Sequence, residues 1–196
     1  MLTNTLESYI DGSAPKSQVD VMLSTLNARY IHSAFGLRYL KANLGELEDR
    51  CEIQEFTLES RPEDIVELLL DKQPKVIGFG VYIWNVVQTE KVVGLLKAVD
   101  PDVIVVLGGP EVSYENDDQA IVGLSDYVIT GWGETSFREL LIELLDEPAL
   151  VNDGDLLSMP VSGNKIIAGK QSKLADIDMP YYLYSCLLYT SPSPRD

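Results

Sequence analysis

The chain has 196 residues, 45% of them hydrophobic and 23% charged, and a formal net charge of −16 at pH 7. That length supports one domain around a single core, and so acidic a surface argues against nucleic-acid or anionic-membrane partners, which need basic patches. No apolar run reaches the roughly 18 residues of a membrane span, and Cys51 and Cys186 are too few and too distant for a disulfide framework or a zinc site.

Residues 1–18 are polar, contain Gly12, Ser13 and Pro15, and lack the basic and apolar regions of a secretory signal. They read as a loose leader, and a reducing cytoplasm fits the cysteine usage. Strand-length apolar runs then begin near Val19 (VDVMLST), Cys51 (CEIQEFT), Val76 (VIGFGV), Val103 (VIVVLG) and Tyr127 (YVIT). Helical spacing lies between most of them. Ala34, Leu37, Leu40, Leu44 and Leu47 recur every three or four residues and predict one helical face. Ile65, Leu68 and Leu69 do the same behind Pro62, which suits a first helical turn with Glu63 and Asp64 at the positive end of the dipole. Val92, Leu95, Leu96 and Val99 give a third helix, and Phe137, Leu140, Leu141 and Leu144 the last. The connection from Pro110 to Asp126 is more polar and predicts only a short helix, around Asp117 to Val122.

Strand–helix alternation with nearly continuous apolar strands predicts an α/β fold, a five-stranded parallel doubly wound sheet with helices on both faces. Right-handed crossovers favour the flavodoxin-like, Rossmann-type order 2-1-3-4-5. This domain is expected over residues 19–147. Residues 148–184 read as a linker with a short hairpin, VSGNKII, turning at Gly163-Asn164. Residues 185–196 have no periodicity and end in a Ser/Pro run, so they are expected to be a non-native tail.

In an open parallel sheet, ligands gather outside the carboxyl ends of the strands. Those ends carry Ser24 to Asn27, Thr57 to Glu59, Gly80 to Tyr82, Gly108 to Pro110 and Thr130 to Glu134. Glycines crowd this one edge, where bare backbone lets a ligand or neighbouring chain come close. Three common occupants of the fold do not match. A phosphoryl-accepting receiver needs acidic residues after the first strand, where Ser24 and Thr25 stand. A flavodoxin-type phosphate loop needs a glycine-rich first turn, and LSTLNARYIHS has none. The string GWGETS follows the fifth strand and not the first, and it lacks the third glycine of a dinucleotide fingerprint.

Four strings, NARYIHSAFGLRYL (Asn27 to Leu40), GFGVYIWN (Gly78 to Asn85), LGGPEVS (Leu107 to Ser113) and TGWGE (Thr130 to Glu134), occur in the order found in one family. The stretch from Val19 to Leu145 resembles the N-terminal cobalamin-binding domain of radical S-adenosylmethionine enzymes, and ADIDMPYY resembles the bridge into their radical domain. The resemblance implies a cobalamin whose corrin rests on the carboxyl edge and whose nucleotide tail enters a slot between strands and helices. It implies cofactor-binding roles for Asn27, Tyr30, His32, Gly80, Val81, Tyr82, Trp84, Asn85, Gly108, Gly109, Pro110, Glu111, Gly131, Gly133 and Glu134. Gly108 and Gly109 match a glycine pair beside the tail, where a β-carbon would collide with the ligand.

Two departures from the family pattern stand out. Methionine-synthase-like domains carry Asp-x-His-x-x-Gly, whose histidine ligates cobalt. Aligning on Gly36 places Ile31 and Ser33 at the Asp and His positions. His32 is one residue out of register and lacks the carboxylate that normally orients a ligating imidazole. Its ordinary reading is a loop residue that caps the first helix or touches the corrin; an axial ligand is the alternative. Tyr30, Tyr82 and Trp84 offer apolar area to the corrin's lower face, or simply pack the sheet edge.

The second departure is the absence of a Cys-x-x-x-Cys-x-x-Cys run, so no four-iron four-sulfur cluster is expected on this chain. S-adenosylmethionine, the cluster and any catalytic residue are expected in a radical domain that would follow in cis. The chain alone is expected to be inactive. A flavodoxin-like nucleotide or flavin module without catalysis is the alternative, and a pure interaction domain a third reading.

Overall fold

The computed structural model describes residues 19–28, 33–114, 118–145 and 165–184. Six strands form one parallel sheet: β1 (Val21–Asn27), β2 (Cys51–Thr57), β3 (Val76–Gly80), β4 (Ile104–Gly108), β5 (Tyr127–Thr130) and β6 (Lys165–Ala168), in the order β2-β1-β3-β4-β5-β6. The first five follow the expected order, and the sixth corrects the expected count. Lys165 to Ile167, read from the sequence as half of a hairpin, pair parallel to β5 from Tyr127 to Ile129. A lysine beside two isoleucines suits an edge strand as well as a hairpin, so local pattern does not separate the two. The expected turn at Gly163-Asn164 lies outside the described residues.

Helices α1 (Phe35–Ala42), α2 (Pro62–Leu70), α3 (Val86–Val99), α4 (Ala120–Leu124) and α5 (Glu134–Leu144) cover both faces. Alternation along the strands sorts the core into two layers. Met22, Leu26, Ile77, Phe79, Val105 and Leu107 pack with Ile65, Leu69, Val92, Leu96 and Ile121 of α2, α3 and α4. Val21, Leu23, Val76, Val106 and Ile129 pack with Leu37 of α1 and Phe137, Leu140 and Leu141 of α5. Each fully buried Leu, Ile or Phe contributes roughly 1.5–3 kcal/mol.

Pro62 does open α2, with Glu63 and Asp64 in its first turn. The first helix is shorter than its periodicity predicts. Asn43 donates its side-chain amide to the Tyr39 carbonyl at 2.8 Å, and Gly45 turns left-handed at φ 58°. A 3-10 turn over Gly45–Arg50 then keeps Leu44 and Leu47 buried. Hydrophobic spacing continues through a helix break that glycine and asparagine permit.

The amino edge of the sheet is held by charge. The buried carboxylate of Asp20 accepts from Arg50 at 2.7 Å and pairs with Lys75 at 3.1 Å. Asp126 accepts the Val105 amide at 2.7 Å and pairs with Lys97, which also donates to the Val103 carbonyl at 2.6 Å.

Candidate functional site

The carboxyl edge has a different construction. Because strand side chains alternate, Gly78, Gly80 and Gly108 share the face of Val76 and Val106, beneath α1 and α5. Gly80 pairs directly with Gly108 in the register, and Gly78 with Val106. At the Gly80–Gly108 pair, two neighbouring strands thus present bare backbone. Above it lies a cavity of about 160 Å³, roofed by Gly36, Leu37 and Leu40 of α1 and by Glu134 and Phe137 of α5. Engineered apolar cavities of about 150 Å³ hold a benzene ring, so the slot has the volume of one aromatic ring.

What each glycine is for can be read from the space a β-carbon would enter. At Gly108 the nearest atom is the Ile129 carbonyl oxygen at 3.8 Å, and at Gly80 the nearest are Thr25 and Leu37 at 3.5 Å. Protein atoms leave room at both, so internal packing does not demand a glycine at either position. Gly78 is a packing glycine, since its β-carbon would come within 2.8 Å of Leu23.

Gly109 has another purpose. Its φ is 113°, and a β-carbon would run into the backbone of Val81, whose amide donates to the Gly108 carbonyl at 2.7 Å. The protein's own backbone, where the β3 and β4 loops cross, therefore already excludes a β-carbon at Gly109. Gly131 also takes a left-handed φ, 75°, with open space around it, and Gly133 lets α5 approach Leu40 of α1.

The rim is aromatic. Tyr82 and Trp84 stack in parallel, with centroids 4.6 Å apart and planes 6° from parallel. Trp84 is half exposed, and Ile83, Tyr114 and Trp132 of the edge loops and Val87 in the first turn of α3 are exposed. Asn85 is fully buried beneath this platform. Its carbonyl oxygen accepts the Tyr82 amide at 2.8 Å, and its amide nitrogen lies 3.1 Å from the Thr25 hydroxyl and from the Leu26 and Gly80 carbonyls. All of these bonds are internal, so Asn85 shapes the loop from Val81 to Trp84. Burial, and secondarily the charge of Glu55, pushes the Tyr82 hydroxyl pKa up.

Pro110 is exposed and Glu111 half-buried, and neither lines the slot. Asn27, at the end of β1, donates to Glu55 at 3.1 Å. Tyr30 and His32 lie outside the described residues. Several contributors were not singled out from the sequence. Ser113 ties two loops together, donating to the Gly109 carbonyl at 2.7 Å and accepting the Gly131 amide at 3.1 Å. The string LGGPEVS ended on this residue. Thr25, Arg38 and Glu55 carried no local signal, because their partners are far off in sequence.

Among the described residues, no group of three or more His, Cys, Asp or Glu side chains is placed to hold a metal. The Cys51 thiol is buried, which pushes its pKa up to about 12 and leaves it an inert core group.

The family model for the B12 binding domain matches residues 23–141, more than half of the chain. This chain belongs to the B12-binding domain family. The domain is 43% identical over 77 residues, 38% of this chain, to the 2-(S-pantetheinyl)-carbapenam-3-carboxylate methyltransferase of Streptantibioticus cattleyicolor. It is 33% identical over 126 residues, 57% of this chain, to the cobalamin-dependent radical SAM methyltransferase TokK of Streptomyces tokunonensis. The matches span only 11% and 17% of those two proteins. A cobalamin-binding protein from Desulfitobacterium hafniense has a similar structure, with a TM-score of 0.48, 14% identity, and coverage of 65% of this chain and 59% of that one.

The residues of this B12-binding domain fit such a ligand on structural grounds alone. The slot offers a bare floor, a roof that is apolar apart from Glu134, and close backbone, as a planar ring needs. The stacked Tyr82–Trp84 pair at the mouth suits the broad apolar face of a macrocycle. No helix among the described residues is long and apolar enough to cross a membrane.

Proposed function

We propose that residues 19–145 bind cobalamin, with the nucleotide tail in the slot and the corrin above the carboxyl edge. The observation that carries this reading is the pairing of Gly80 with Gly108 beneath α1 and α5. Gly80 and Gly108 form the floor; Leu37, Leu40 and Phe137 clamp the base; Tyr82 and Trp84 face the ring. Val81 and Asn85 set the shape of the β3 loop, and Gly109, Gly131 and Gly133 that of the loops beside it. Glu134 borders the mouth. Cobalamin supplies, when bound, a cobalt centre for methyl transfer or radical rearrangement, and the protein supplies binding and orientation. The likeness to TokK supports a role inside a radical S-adenosylmethionine enzyme, whose iron–sulfur cluster and substrate site lie in a domain following in cis. No histidine ligates cobalt in this reading, because Ile31 stands where the Asp of Asp-x-His-x-x-Gly would be.

Hydroxocobalamin should be retained through a desalting column and flavin mononucleotide should not. Trp84→Ala should weaken cobalamin binding by about tenfold, the scale of an aromatic contact of about 1.5 kcal/mol. Retention of flavin and not cobalamin would reassign the slot. Electron paramagnetic resonance of the Co(II) form should lack nitrogen hyperfine splitting from the protein. Splitting that is present in the wild type and lost in His32→Ala would refute the ligand-free assignment.

A further inference from the structure

Helix α1 forms part of the slot's roof, yet it lacks the usual means of fixing its own start. Its N-cap is Ala34, which has no side-chain cap, and its first turn contains no acidic residue. The missing group arrives from a different element. One oxygen of Glu55 on β2 accepts the Ala34 amide at 2.5 Å and the Asn27 side-chain amide at 3.1 Å. The other oxygen accepts from Arg38 at 2.8 Å, and Arg38 donates back to the Ala34 carbonyl at 3.1 Å. The side chains are 7% and 12% exposed, so water hardly weakens the pair. A carboxylate here also meets the positive end of the helix dipole.

We propose that Glu55 and Arg38 are a positioning pair that locks α1 over the slot, so that ligand affinity depends on them beyond their share of stability. The inference rests on the cobalamin reading. An apolar pair of similar volume would stabilise such a site about as well as buried charges do. What it would not supply is direction: the guanidinium fork and the carboxylate fix distance and angle together. That matters at this helix because Gly36, Leu37 and Leu40, within two turns of Ala34, define the slot's width. Arg38 is steadied in turn by Tyr184, whose ring centre lies 5.3 Å from the guanidinium carbon.

The test is a hydroxocobalamin titration of the full 196-residue chain, followed by visible absorbance, with thermal unfolding of the apo protein in parallel. Glu55→Gln should weaken binding by about tenfold or more, the worth of one charge-assisted hydrogen bond. Arg38→Lys keeps the charge but not the fork, and should fold and lose affinity in the same direction. Asp20→Asn at the opposite edge should lower the unfolding temperature while leaving affinity unchanged. Wild-type affinity in a folded Glu55→Gln protein would overturn the proposal. If that variant does not fold, wild-type affinity in Arg38→Lys overturns it equally. An affinity loss in Asp20→Asn matching that in Glu55→Gln would reduce the pair to general stability and also overturn it. No binding by the wild type would instead overturn the cobalamin reading, and this proposal with it.

Discussion

The two edges of this sheet are made of different materials. At the amino edge, Asp20 is held by Arg50 and Lys75, and Asp126 by Lys97 and the Val105 amide, so strand starts are fastened by charge. At the carboxyl edge, Gly80 and Gly108 remove side chains where strands meet, and Ile83 and Trp84 stand at the surface beside the half-buried Tyr82. The contrast teaches how a small domain divides its work. Several ion pairs fasten the strand starts, whereas the carboxyl edge has the Arg38–Glu55 pair and otherwise carries bare backbone and exposed aromatics, features that cost stability. Even at the open edge, glycines differ: Gly108 faces space and Gly109 faces Val81.

That last distinction gives the largest expected effect. Gly109→Val should destabilise the apo protein by about 3 kcal/mol or more, combining left-handed strain with a backbone collision. Gly108→Ala should cost under about 1 kcal/mol yet weaken cobalamin binding about tenfold by overpacking the slot. Urea unfolding and a cobalamin titration on both variants decide the matter; equal stability losses would erase the difference between the two glycines.

The next effect belongs to the amino edge. Burial alone would raise the Asp20 pKa, but Arg50 and Lys75 outweigh it and hold the carboxyl below its ordinary 3.8. A carboxylate with a lowered folded pKa stabilises the protein fully above its unfolded value, and that contribution fades as pH falls through the folded value. Asp20→Asn should therefore cost about 1–3 kcal/mol at pH 7. The gap from wild type should begin to close below about pH 4. Parallel unfolding curves from pH 7 to pH 3 measure it, and a gap that widens in acid would contradict the assignment.

The smallest effect is a control with opposite sign. Gly123 lies in α4 with nothing within 4 Å of a β-carbon and no left-handed φ. Gly123→Ala should stabilise by up to about 1 kcal/mol, as in an ordinary helix, without changing ligand affinity. A loss there would mean that glycine away from the edge is also required.

Much of the fold was legible because its signals are local. Continuous apolar strands, three-and-four spacing and the Pro62 start give the first five strands and their helices, and right-handed crossovers favour their order. The sixth strand was not legible: Lys165 to Ala168 has no pattern that tells a parallel edge from a hairpin. The glycine edge was visible as a cluster, whereas the ring of bonds around Glu55 was not, since Asn27, Ala34, Arg38 and Glu55 are joined only by folding.

By itself, then, the sequence determined the alternating elements, the crowding of glycine at one edge and the family motifs, because periodicity and motif are properties of neighbours along the chain. Tertiary structure decided that Gly80 lies opposite Gly108, that Gly109 yields to Val81, and that Glu55 caps α1 from another strand. Each of these depends on register and on which face a residue presents. A one-residue slip in register would send every such side chain to the opposite face, so no local reading of the chain can settle them.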